Sequence, residues 1–153
     1  MLRVFLSLVV VVVVCSSCAT KATDKTPSGA LRLFIGAMQR GAYDPEGLHD
    51  AYDLLDAAAR NQLAERAQLA GALAMGREFQ PWDMLVRGRF QLRFVPARGV
   101  GMTEHINGAH ATVTVQAEGS SENAHVPMTL EDGHWRVSLN IPSIRSAEQI
   151  IGP

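Results

Sequence analysis

Apolar and polar side chains alternate along most of residues 110–139, and Gly-containing turn pairs interrupt the alternation at well-defined places. Ala111, Val113 and Val115, then Val126, Met128 and Leu130, then Trp135, Val137 and Leu139 share one parity. Thr112, Thr114, Thr129, Arg136 and Ser138 fill the other. A period of two puts successive side chains on opposite faces of a strand, so this pattern predicts an antiparallel sheet with one buried and one wet face. Asn107-Gly108 and Asp132-Gly133 are two-residue hairpin signals, and residues 119–123 read as a looser turn. A further strand is expected where Phe90, Leu92 and Phe94 alternate with Arg89, Gln91 and Arg93, ending at Pro96. A sheet with one apolar face must be covered by something else in the chain.

The preceding residues supply that cover. Thr26 followed by Pro27 is a helix start, after which Leu31, Phe34, Ile35 and Met38 fall at helical spacing until Gly41. Asp44-Pro45 starts a second helix, with Leu48 and Tyr52 one turn apart. Asp56 caps a longer Ala-rich helix expected to reach Met75 and Gly76, with Leu63, Ala67, Ala70 and Leu73 on one side. Pro81-Trp82 opens the connection to the strands. Helices first and strands afterwards predict an α+β fold, the N-terminal helices packed on one face of a curled antiparallel sheet. No internal repeat is visible.

Ahead of the helices stands a different kind of segment. Arg3 is followed by an unbroken apolar run at residues 4–14 (VFLSLVVVVVV) and by small residues at 15–18 (CSSC), the layout of an export signal. The run is shorter than the roughly 20 apolar residues that a membrane-spanning helix needs. Cleavage before Cys18 or after Ala19 both fit. Removing residues 1–17 takes away Arg3, the single charge among them, and makes the formal net charge of -1 one unit more negative. No block of basic residues remains to draw nucleic acid. Cys15 and Cys18 are the two cysteines of the chain, so the folded part holds no thiol and no disulfide. Residues 18–27 are polar, lack periodicity and read as a tether, with Lys21 and Lys25 placed near any lipid headgroups. Residues 28–142 form one domain and residues 143–153 a tail.

Two resemblances follow from these residues. Ser17-Cys18 after the Val-rich run resembles the lipobox of bacterial lipoproteins, although Cys15 stands where that motif carries Leu. The resemblance implies that Cys18 is the lipid-attachment residue and that the protein is moored at the periplasmic face of an envelope membrane, with Ala19 favouring the outer one. Two or more acyl chains anchor stably where one is marginal, each buried methylene contributing ~0.8 kcal/mol. The Pro-led helix (PSGALRLFIGAM), the short helix ending in AYDLL and the strands HATVTV and DGHWRV look like the nuclear-transport-factor-two-like, or cystatin-like, superfamily over about residues 27–139. That resemblance implies a cone-like fold. It further implies either a non-enzymatic binding or assembly module, with another protein or a second copy as partner, or a small-molecule-binding protein or isomerase- or dehydratase-type enzyme using a cone-shaped pocket.

The candidate chemistry is sparse. Family enzymes place an acid or base on the inward face, because proton transfer needs a tuned group within hydrogen-bond reach of its substrate. Here the inward parity is Ala, Val, Met, Leu and Trp, with Glu104 as the ionisable exception near a strand end. Tyr43, Tyr52 and Asp53 are the helical candidates, and a core aromatic with a wet hydroxyl accounts for Tyr52 equally well. Phe34, Met38, Tyr52, Trp82, Phe90 and Trp135 are candidate pocket-lining residues, of types that also dominate ordinary cores. If the tight turns set the register in the usual way, His105, His110, Glu131 and His134 form one row across four strands on the outer face. These are ligand types suited to zinc, nickel or copper, but a flat, wet row lacks an enclosing second shell. No metal site and no cofactor is therefore expected. Arg87, Arg89 and Arg93 read as an exposed strand face, since no glycine loop or convergent donors accompany them.

Overall fold

The computed structural model describes residues 22–74, 77–85, 101–116 and 123–141. Three helices precede four strands: α1 (Pro27–Arg40), α2 (Pro45–Asp53), α3 (Ala57–Leu73), then β1 (Thr103–Asn107), β2 (His110–Gln116), β3 (Asn123–Glu131) and β4 (His134–Val137). A 3-10 turn at Pro81–Leu85 lies between the two groups. The strands form an antiparallel meander in the order β1-β2-β3-β4, with the helices packed on one face of a curled, unclosed sheet. The expected α+β architecture is the one observed.

Local chemistry starts each helix where the sequence predicts. The hydroxyl of Thr26 accepts from Gly29 N–H, the carboxylate of Asp44 from Glu46 N–H and that of Asp56 from Ala59 N–H. Each side chain satisfies one of the donors that a helix N-terminus leaves open. Pro27 and Pro45 occupy first-turn positions, where a missing N–H costs nothing. Helix α3 ends at Leu73, short of Met75, which with Gly76 lies outside the described residues. Its apolar side is also shorter than expected. Ala59, Leu63 and Ala67 are buried, but Leu73 is 78% exposed.

The core joins both layers. Leu31, Phe34, Ile35, Leu55 and Leu63 from the helical half meet Val113, Val115, Met128, Trp135 and Val137 from the sheet. Burying a large apolar side chain is worth about 1.5–3 kcal/mol, so this one interface carries most of the hydrophobic stabilisation. The outer edge of β4 is covered by the chain itself. Val137 N–H donates to the Leu54 carbonyl, Asp56 N–H to the Val137 carbonyl, and Trp135 N–H to the Asp24 carbonyl. Donors and acceptors that would otherwise invite another strand are thereby occupied. Strand β4 is short for a reason legible in β3: Pro127 accepts from Ser138 N–H but has no N–H to return, so the ladder stops after Val137.

The two tight turns differ. At Asp132-Gly133 both residues have positive φ, 51° and 75°, which is the geometry an Asp-Gly hairpin favours. The first turn sits one residue later than expected. Asn107 pairs with His110, so Gly108 and Ala109 are the central residues and Gly108 alone takes positive φ, 61°. The expected strand around Phe90 and the tail at 143–153 lie outside the described residues.

Candidate functional site

The outer face differs from expectation in two registers, that of β1 with β2 and that of β2 with β3. His105 lies opposite Thr112 rather than His110, and His110 lies opposite Thr129 rather than Glu131. The expected four-strand row of His105, His110, Glu131 and His134 is therefore broken, and only the Glu131–His134 pair survives. Among the described residues no group of three His, Cys, Asp or Glu side chains converges as a metal would require.

Glu131 has a different partner. Its carboxylate accepts from Ala57 N–H at 2.8 Å and lies 3.4 Å from the Arg60 guanidinium, so it sits at the N-terminus of α3. Glu104, the ionisable residue of the inward parity, does the same for α1: its carboxylate accepts from Ser28 N–H at 2.7 Å. Two sheet carboxylates thus hold the positive ends of two helices, where negative charge is stabilising. Neither is placed to serve as a free acid or base.

The corrected rows leave a shallow trough of about 480 Å³ on the face away from the helices. Its floor and walls are His105, Asn107, His110, Thr112, Pro127, Thr129 and Ser138 on the strands and their extension, with Ala111 and Met128 lining it between them. Thr129 and Ser138 share a hydrogen bond at 2.9 Å where the β3–β4 ladder ends. The surface is lined mostly by polar residues but mixes polar with apolar area, and it is open, suited to a partner's side chains or backbone and not to enclosing a small molecule.

On the other face, the candidate pocket-lining residues sit at three levels. Phe34 and Trp135 are closed into the core, and Met38 and Tyr52 pack against it. Trp82 stands on the 3-10 turn, edge-on to the His49 ring at 4.5 Å and to Tyr52 at 6.1 Å. The Tyr52 hydroxyl donates to the Arg60 carbonyl at 3.4 Å, a polar tip satisfied at the boundary. Tyr43 is 85% exposed, and Asp53 lies 4.0 Å from His49 on the helix surface. Phe90 and Cys18 lie outside the described residues, as do Arg87, Arg89 and Arg93.

Asp24 is the residue that pattern reading missed. Its carboxylate accepts from Arg136 at 2.9 Å and contacts His134 Nδ1 at 2.8 Å, while its carbonyl takes the Trp135 N–H. Lys25 Nζ lies 3.1 Å from His134 Nε2 and donates to the Gly133 carbonyl. Burial pushes the Asp24 carboxyl up, but the hydrogen bonds and charges of Arg136 and His134 outweigh it and hold the group below the usual carboxylate range. The segment read as a free tether is thus fastened to β4 from Asp24 onward, and Lys25 is engaged with β4 and its turn.

The chain matches no family model, and no curated protein or solved structure is significantly similar to it.

Proposed function

We propose that this is a membrane-tethered envelope lipoprotein whose domain is a non-enzymatic binding or assembly module. The observation that carries the reading is the N-terminal layout: one positive charge, an apolar run too short to span, and Ser17-Cys18 in lipobox position. Acylated Cys18 supplies the membrane contact. The domain's resemblance to the nuclear-transport-factor-two-like superfamily agrees with its helix-covered curled sheet, a fold that hosts binding modules and enzymes alike. Binding is favoured over catalysis because Glu104, the inward carboxylate of the described strands, is engaged by the α1 terminus. The polar trough on the outer face is the partner surface, and a second copy of the chain is the partner of first choice.

Two measurements test this. Metabolic labelling with a clickable fatty acid should mark the parent chain and not Cys18→Ala, which should also leave the membrane fraction. Equal labelling and fractionation of the two would end the lipoprotein reading. A photo-crosslinker at Thr112, in the trough, should give a discrete adduct in native membranes, and one at Ala58 on the exposed side of α3 should not. Absence of any discrete adduct from Thr112 counts against the module.

A further inference from the structure

Both two-residue turns lie at one end of the sheet, side by side, since Leu130 N–H donates to the Ala109 carbonyl at 2.8 Å. At this end two apolar side chains of the helix-facing parity are exposed. Ile106, on the edge strand β1, is 52% exposed and Leu130 37%, whereas their cross-strand neighbours Ala111 and Trp135 are each 6% exposed. The packing that shelters those neighbours leaves these two branched apolar side chains open to the surroundings.

The anchored end of the chain arrives at the same place. The Asp24 clasp ties the backbone to Trp135 and Arg136, and Lys25 reaches the Gly133 carbonyl within the second turn. Cys18 precedes Asp24 by six residues, so even a fully extended chain separates them by no more than about 22 Å. The opposite end of the sheet, marked by Gln116, is about 20 Å farther away along β2 at roughly 3.3 Å per residue. A lipid joined at Cys18 therefore holds the turn end close to the bilayer and leaves the other end with little means of reaching it.

We infer that the turn end of the sheet, with Ile106 and Leu130 at its tip, is the surface this domain lays against the lipid bilayer that holds Cys18. The inference rests on the acylation proposed above. Two apolar side chains do not hold a domain on a membrane unaided; the acyl chains supply affinity, and the clasp and the tip supply orientation. Lys25, exposed beside the second turn, places an ammonium at headgroup level. In this orientation the outer trough stands at the side of the domain, open to a neighbour in the same membrane.

The test uses the acylated chain reconstituted in vesicles of phosphatidylethanolamine and phosphatidylglycerol. Single cysteines are introduced as Ile106→Cys, Leu130→Cys or Gln116→Cys and labelled with an environment-sensitive fluorophore, Cys18 being blocked by its own lipid. Brominated acyl chains should quench the labels at 106 and 130 several-fold more than the label at 116. Adding Asp24→Ala should shrink that contrast. Equal quenching at the three positions in a chain shown by mass to carry its lipid overturns the orientation and leaves the acylation reading intact. A contrast unchanged by Asp24→Ala overturns the role given to the clasp. A chain that carries no lipid at Cys18 removes the premise, an outcome that the mass measurement separates from the other two.

Discussion

Asp24 shows how one side chain outside any helix or strand can fix where the chain enters a domain. Its carboxylate is shared by a guanidinium and an imidazole, three-quarters sheltered from solvent, and its backbone carbonyl closes an otherwise open donor of β4. Exposed single ion pairs contribute about 0–1 kcal/mol, but a shared, sheltered carboxylate also fixes where the chain enters the domain. Because Arg136 and His134 hold the Asp24 carboxyl below its usual range, its contribution has a defined pH dependence. A depressed folded pKa stabilises above the unfolded value, near 3.9 for Asp, and that contribution is lost as pH falls through the folded value. Asp24→Asn should therefore unfold at lower urea than the parent at neutral pH, and the gap should close as acid protonates the Asp24 carboxylate of the folded chain. A gap of the same size at both pH values would mean that the carboxylate charge is not what matters there. In the core, Met128 is 1% exposed and packs between the layers, so Met128→Ala should cost about 2–5 kcal/mol by urea unfolding.

Among the elements, the helix starts are set by side chains one to three residues away, and this locality made them legible. Thr26-Pro27, Asp44-Pro45 and Asp56 each cap the helix that follows, as their spacing predicts. Asp56 is the most consequential, because it caps α3 while its own N–H pairs with β4. Asp56→Ala should destabilise by about 1–2 kcal/mol, with the loss seen first in α3 amide exchange. Protection of α3 unchanged from the parent would show that the cap is dispensable. Asp132-Gly133 was legible for the same local reason, since both residues tolerate positive φ. Asn107-Gly108 misled because Gly108 suffices for the bend and Ala109 takes the second central position, which lets Asn107 stay in the ladder. That displacement parts His105 from His110, and the separate register of β2 with β3 parts His110 from Glu131, because cross-strand neighbours are a consequence of register. The Asp24 clasp and the Glu104 and Glu131 helix contacts join residues far apart in the chain and leave no periodic trace in it.

At the scale of the whole molecule, the two layers are bound by more than the apolar face between them. Glu104 ties β1 to the start of α1, Glu131 ties β3 to the start of α3, and residues 54–56 pair with the edge of β4. Every helix–sheet boundary thus carries a polar contact that exists only when both layers are in place, on top of a core to which both contribute. Such coupling predicts one cooperative transition instead of a sheet that outlasts its helices. Far-ultraviolet circular dichroism follows mainly the helices, and fluorescence follows Trp135 in the sheet core and Trp82 against α2. Their urea midpoints should coincide. Charge-assisted hydrogen bonds are worth about 1.5–3 kcal/mol, and conservative replacement of a partly exposed acceptor loses a part of that. The double variant Glu104→Gln, Glu131→Gln should accordingly lower both midpoints by the same amount, leaving the curves superimposed. If the dichroism signal moved to lower urea while the fluorescence signal stayed, the helices would be an appendage to an independently stable sheet, and the carboxylates would be local caps without a role in joining the layers.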